Sequence, residues 1–183
     1  MAKVTAVLIT WKRQHNLPRI IEEILKVPQI NEILIHDNSK GENRACYRRF
    51  ELAVKAKNET IYTQDDDCVN HDISELIGEF GNLTCGATKG YIDALDKPPY
   101  LNTNLALLGF GSLFKKAWID FSKYKYPHDD LFYREADRIF TLGLEKRPKI
   151  VKCNIELLDE DTEAMSQQPN HIEDRKIIIE RMT

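Results

Sequence analysis

Three short apolar runs alternate with two amphipathic stretches at the start of this chain, and that alternation constrains its fold more than any other feature. "VTAVLIT" (4–10) is β-branched and too short for a buried helix, so it reads as a buried strand. "NLPRIIEEILKV" (16–27) follows as a helix, with Asn16 at the N-cap position, Pro18 in the first turn, and Ile20, Ile21, Ile24 and Leu25 on one face. "EILIH" (32–36) is a second strand, and "RACYRRFELAVKAK" (44–57) a second helix with Phe50, Ala53 and Ala56 inward. "TIYT" (60–63) is a third strand. Strand, helix, strand, helix, strand with short links specifies a parallel sheet covered by helices. The expected class is therefore α/β, with a mixed, mainly parallel, Rossmann-like sheet in a single domain of 183 residues.

Ligands of such sheets bind beyond the carboxyl ends of the strands. All three strands here end in polar clusters: Thr10-Trp11-Lys12-Arg13, Asp37-Asn38-Ser39 and Asp65-Asp66-Asp67. Three adjacent carboxylates repel one another unless the segment is a solvated turn or a cation sits among them. Hard divalent cations take oxygen ligands, often one or two carboxylates with substrate phosphates, so this position suits a metal–diphosphate complex. The chain has no GxxxxGK[ST] and no GxGxxG after its first strand, which excludes a P-loop and a dinucleotide fingerprint.

The second half is less regular. "DISELIGEF" (72–80) reads as a short helix with an Asp72/Glu75 capping box, and "LTCGA" (83–87) as a strand. "KGYIDALDKPPY" (89–100) reads as a loop or flap, and "NLALLGFGSLFKKAWIDF" (104–121) as a strand running through two glycines into a helix. "DDLFYREADRIFTLGL" (129–144) is an amphipathic helix with Leu131, Ala136, Ile139 and Phe140 as its apolar side. "PKIVKCNIELL" (148–158) is a late strand, "DEDTEAMSQQPN" (159–170) an acidic loop, and "HIEDRKIIIERM" (171–182) a terminal helix.

A formal charge of −3 gives no broad basic surface, so neither nucleic acid nor an anionic membrane is an expected partner. No apolar run has the length of a membrane span, no signal-peptide pattern opens the chain, and the four cysteines form no CxxC pair. A cytoplasmic protein with reduced thiols is the expectation.

Several segments resemble a known family. "LITWKRQHNLPRII", "EILIHDNSKGE" and "IYTQDDDCV" look like the nucleotide-binding half of a GT-A glycosyltransferase, with Asp65–Asp67 where that fold carries its DxD motif. "LLGFGSLFKK", "HDDLFYREADRIF" and "NHIEDRKIIIERM" resemble, in order, segments of the exostosin-like retaining transferases, whose donors are UDP-sugars. Inverting family-2-type transferases share the first half.

The resemblance implies one GT-A domain over 1–183, with 1–70 binding the nucleotide and 71–183 serving acceptor and catalysis. Thr10, Arg13, Asp37, Asn43 and Arg49 would line the uridine and ribose pocket, and Asp65 and Asp66 would contact ribose or sugar. Asp67 would bind Mn²⁺ or Mg²⁺, with His171 as a further ligand. Asp130 would sit beside the anomeric carbon. His171 and Arg175, one turn apart on a helix, would approach the diphosphate. The implied reaction moves a sugar, an N-acetylhexosamine among the candidates, from a UDP-sugar to a hydroxyl of a carbohydrate or glycoconjugate acceptor. The rivals are an inverting transferase, a nucleotidyltransferase of similar topology, and a sugar-nucleotide-binding module without catalysis. Blander roles exist for single residues. Any of Arg13, Arg44, Arg48 and Arg49 could be a surface charge, Asp129-Asp130 could cap the next helix, and Gly109 and Gly111 could serve only close packing.

Overall fold

The computed structural model describes residues 3–95, 108–158 and 170–182. A six-stranded sheet runs in the order β2-β1-β3-β6-β5-β7, built from β1 (Val4–Thr10), β2 (Ile30–Asp37), β3 (Thr60–Gln64), β5 (Thr84–Ala87), β6 (Ser112–Lys115) and β7 (Lys149–Lys152). β1 pairs in parallel with β2 and β3, and β5 with β7, while β6 is antiparallel to both β3 and β5. The mixed, mainly parallel sheet is the expected one, and the two halves of the chain share it. A second ribbon joins β4 (Cys68–Asn70) to β8 (Ile155–Leu157) antiparallel.

Helices cover both faces. Successive side chains of a strand point to opposite faces, so Ala6, Leu8, Tyr62 and Leu113 pack with α1 (Leu17–Leu25) and α3 (Ile73–Gly78). Val7, Ile61 and Phe114 pack on the other face, with Phe50 of α2 (Tyr47–Ala53) and Phe140 of α6 (Ala136–Gly143). Burial on both faces explains why β1 is apolar without alternation. A smaller cluster of Tyr124, Phe132, Ile139 and Ile178 joins α5 (Asp130–Arg134), α6 and α7 (His171–Met182).

The structure departs from the sequence reading at several places. Leu25, expected inward, is 68% exposed, because α1 buries only Ile20 and Ile24. Asn16 and Asp72 occupy N-cap positions without capping through their side chains. Asn16 Nδ2 instead donates to the Asp66 carbonyl at 2.9 Å, and the Asp72 carboxylate accepts from the Asn154 N–H at 2.6 Å. The helix expected over 129–144 is two helices broken at Glu135, and the strand over 148–158 is split between two sheets. Lys89–Leu95 forms α4, where a loop or flap was expected, and 96–100 lie outside the described residues. The strand expected from 104 begins at Ser112 after a 3₁₀ turn at Leu108–Phe110, and residues 104–107 are also outside. The expected acidic loop, up to residue 169, is outside as well.

Candidate active site

The carboxyl ends of β1, β2 and β3 meet at one edge of the sheet, since Thr10 pairs with Asp37 and Leu8 with Gln64. The backbone there is bent out of its usual range: Lys12 has φ 64° and Ala45 φ 43°. Non-glycine residues at positive φ are uncommon and concentrate at functional loops.

The three aspartates are not equivalent. Asp66 is buried and satisfied by the loop after β1. Its carboxylate accepts from Thr10 Oγ1 at 2.7 Å, the Trp11 N–H at 2.9 Å and Arg13 Nη1 at 2.9 Å. Thr10 and Arg13, expected at the nucleotide, both hold Asp66, which ties the end of β3 to the end of β1.

Asp65 is held from the other side. Arg49 reaches its Oδ1 with Nη2 at 2.6 Å and Asp137 Oδ1 with Nε at 3.2 Å. Arg49 is 1% exposed and bridges the two carboxylates from within the protein. Burial is the main reason the Asp137 carboxyl is pushed up to about 7, with the Arg49 guanidinium acting against it. Gly109 completes this wall: its carbonyl accepts from the Asp65 N–H at 2.9 Å, and a Cβ there would lie 2.3 Å from Asp65 Oδ2.

Asp67 is the carboxylate left over. It shares the edge of Arg13 at 3.3 Å, and its side chain is 31% exposed. Burial first, then the Asp65 charge, push its carboxyl up to about 6, with Arg13 only partly offsetting them. Asp67 therefore stands at a strand end where burial and the neighbouring Asp65 both disfavour its charged form. Among the described residues no group of three or more His, Cys, Asp or Glu is arranged to hold a metal ion. One carboxylate with substrate phosphates is the arrangement that fits Asp67.

The other expected residues are dispersed. Asp37 folds a tight turn, accepting from the Ser39 N–H at 2.9 Å, Ser39 Oγ at 2.6 Å and Gln14 Nε2 at 3.0 Å. The Ser39 contact is the main reason its carboxyl is lowered to about 2. Asn43 accepts from the Ala45 N–H at 2.8 Å, fixing the loop before α2. Arg44 and Arg48 pair with Glu42 and Glu51 at the surface. Asp129 caps α5 by accepting from the Phe132 N–H at 2.9 Å, while Asp130 stands exposed in the first turn. No hydrogen bond joins Asp130 to the aspartates among the described residues.

His171 opens α7, and burial, then Arg175 and Arg138, depress its imidazole to about 4, which keeps it neutral. Asp137, Arg138 and Glu135 were not singled out from the sequence. Their spacing on an amphipathic helix reads as a solvated face, and the signal available was that 135 and 138 share a helix face with apolar Ile139.

No family model matches the sequence, and no curated protein sequence does. Solved structures do. Residues 1–349 of S. aureus TarS, solved in complex with UDP-GlcNAc, superpose with a TM-score of 0.61 at 12% identity over 98% of this chain. The fold is a Rossmann-like glycosyltransferase fold. A second S. aureus TarS structure superposes with a TM-score of 0.51 at 12% identity over 82% of this chain. The chain spans 66% of the first TarS structure and 35% of the second. Among the described residues no helix is long and apolar enough to cross a membrane.

Proposed function

We propose that this chain is a metal-dependent glycosyltransferase that takes its sugar from a UDP-sugar, UDP-GlcNAc being the leading donor. The observation that carries the reading is the division of labour among the aspartates. Arg49 pairs with Asp65 and Arg13 with Asp66, while Asp67, more distant from Arg13 at 3.3 Å, has its charged form disfavoured by burial and by Asp65 at the carboxyl end of the strand. The match of this fold to UDP-GlcNAc-bound TarS supports the choice of donor. A divalent cation at Asp67 would neutralise the diphosphate and stabilise its departure. Asp130 is assigned to the reacting centre and Arg175 to the leaving diphosphate, where planar donors match phosphate oxygens. Asp37 and Asn43 shape the loops around uridine and ribose. The resemblance of the later segments to exostosin-like enzymes favours retention at the anomeric carbon.

Thermal melts with a nucleotide panel, with and without Mn²⁺, test this reading. A ligand at one hundred times its Kd stabilises the native state by about 2.7 kcal/mol. For a chain of this size that is a Tm rise of roughly 5–10 °C. UDP and UDP-GlcNAc should give it in Mn²⁺ and GDP and ADP should not. Equal shifts for UDP and GDP would remove the uridine assignment, and no shift with any nucleotide would remove the transferase reading.

A further inference from the structure

The two edge strands of the six-stranded sheet are unlike. β7 is four residues long with a lysine at each end, Lys149 and Lys152, which is how sheets commonly keep an edge from pairing with another chain. β2 is eight residues long, and among the described residues β1 is its one neighbour in the sheet. The Asn38 N–H donates to the Thr10 carbonyl at 2.8 Å, which sets the phase of the strand: Glu32, Leu34 and His36 turn their backbone groups toward β1. Ile33 and Ile35 turn theirs to the open side. The carbonyls flanking them are occupied, Asn31 accepting from Lys57 Nζ at 2.8 Å and Asp37 from the Lys40 N–H at 3.1 Å. The Ile35 side chain beside the open groups is 42% exposed.

The strand complements itself. Two antiparallel copies related by a two-fold axis through Leu34 place Ile33 opposite Ile35, Glu32 opposite His36 and Asn31 opposite Asp37, each pair occurring twice. Ile33 and Ile35, whose backbone groups are open, become the hydrogen-bonded pairs, and Glu32 and His36 the alternate pairs, whose side chains come closer. His36 Nε2 is buried without a hydrogen bond among the described residues, and burial, then Arg48, lower its imidazole and keep it neutral. Both bonds to the Glu32 carboxylate, from Thr5 Oγ1 at 2.6 Å and the Lys57 N–H at 2.9 Å, fall on Oε2, which leaves Oε1 to accept from the imidazole of a second copy. The Lys57 ammonium, held at Asn31, comes opposite the charged Asp37 carboxylate. Moving the axis to Ile33 or Ile35 sets Leu34 opposite Glu32 or His36 and loses these contacts.

We propose that β2 is a self-association edge, through which two copies of this chain pair antiparallel about Leu34 and join their sheets into one. The second strand runs opposite to the first, so the carboxyl-end edges of the two copies, with their aspartates, point opposite ways and stay open. A single strand pair is a small interface, and the association is correspondingly weak and reversible. Neither nucleotide nor metal takes part, so the surface stands whether or not Asp67 binds a cation.

The test is sedimentation equilibrium of wild type and Ile35→Lys, from about 5 to 500 μM to span the affinities of so small an interface. Wild type should pass from monomer to dimer across that range. Ile35→Lys, which sets an ammonium at each Ile33–Ile35 pair, should weaken the dimer at least about tenfold. It should keep its circular dichroism and melt close to wild type, because the position is exposed. Mild oxidation of Leu34→Cys and Ile35→Cys reads the register. In Leu34→Cys the two new thiols meet across the axis within disulfide reach, and the dimer should cross-link. In Ile35→Cys the new thiol faces Ile33, and it should not; the four native cysteines are buried and do not compete. A wild type that is monomeric at the highest concentration, or Ile35→Lys dimerising as wild type does, would overturn the proposal. So would a dimer that cross-links through Ile35→Cys but not Leu34→Cys, which sets the axis at Ile35, or one that cross-links through neither, which uses another surface.

Discussion

Replacing Asp67 by Asn in the metal-free protein should stabilise it, although the residue is assigned to the centre of the site. In the folded chain the Asp67 carboxyl rises from its ordinary 3.8 to about 6, so folding disfavours the charged form. That difference corresponds to about 3 kcal/mol at neutral pH. The side chain is 31% exposed, and solvent screening reduces the figure to about 1–2 kcal/mol. The sign follows from linkage. A carboxyl whose folded pKa is raised binds its proton more tightly when folded, so its penalty is absent below pH 4 and complete above pH 6. Asn mimics the protonated form without titrating. In EDTA at pH 7.5, Asp67→Asn should therefore melt about 3–6 °C above wild type, and the gap should close as pH falls from 6 to 4. Mn²⁺ with UDP should raise wild type and leave the variant unmoved. If Asp67→Asn melts at or below wild type at pH 7.5, Arg13 already neutralises Asp67 and no cation is called for.

Three further substitutions probe the surrounding residues. Asp130→Ala and Arg175→Ala should each lower turnover by about two to three orders of magnitude while donor affinity changes little, read as UDP release beside UDP-sugar titration; near-normal rates would remove both from catalysis. Arg49→Met leaves Asp65 and Asp137 without their cation and should cost about 3–5 kcal/mol in urea unfolding at pH 8. The loss should shrink at pH 6, where Asp137, already pushed up to about 7, takes a proton; a pH-independent loss would contradict the buried triad. Gly109→Ala places a methyl 2.3 Å from Asp65 Oδ2 and should cost about 1–3 kcal/mol and weaken UDP binding; unchanged affinity would show that Asp65 has room to move.

How much of this was legible in the sequence depended on whether a feature is local. β1 and the terminal helix fall where expected, because a β-branched run buried on both faces and a terminal helical stretch are local signals. The convergence of three strand ends followed from parallel connection alone. The break at Glu135 has no Pro or Gly to announce it, and only the packing of Phe132 and Phe140 into separate clusters reveals it. The same limit applies to the site. "QDDD" shows three carboxylates at a strand end but not which of them is spare, since that is decided by Arg13 and Arg49, 53 and 16 residues away from their aspartates. Arg49 looked like any helix cation, and its burial comes from how α2 lies against the sheet. Arg138 and Asp137 read as a solvated face because α7, which helps cover Arg138, begins more than thirty residues later.

Calorimetric titration of UDP in the presence of Mn²⁺ into wild type and Asp67→Ala tests the central claim most directly. Wild type should bind, and the variant, folded by circular dichroism, should lose about 100-fold or more in affinity, roughly 2.7 kcal/mol. Omitting Mn²⁺ from wild type should reproduce that loss. Equal UDP affinity in the two proteins, or in wild type with and without the metal, would contradict the assignment of Asp67 as the carboxylate that brings cation and diphosphate together.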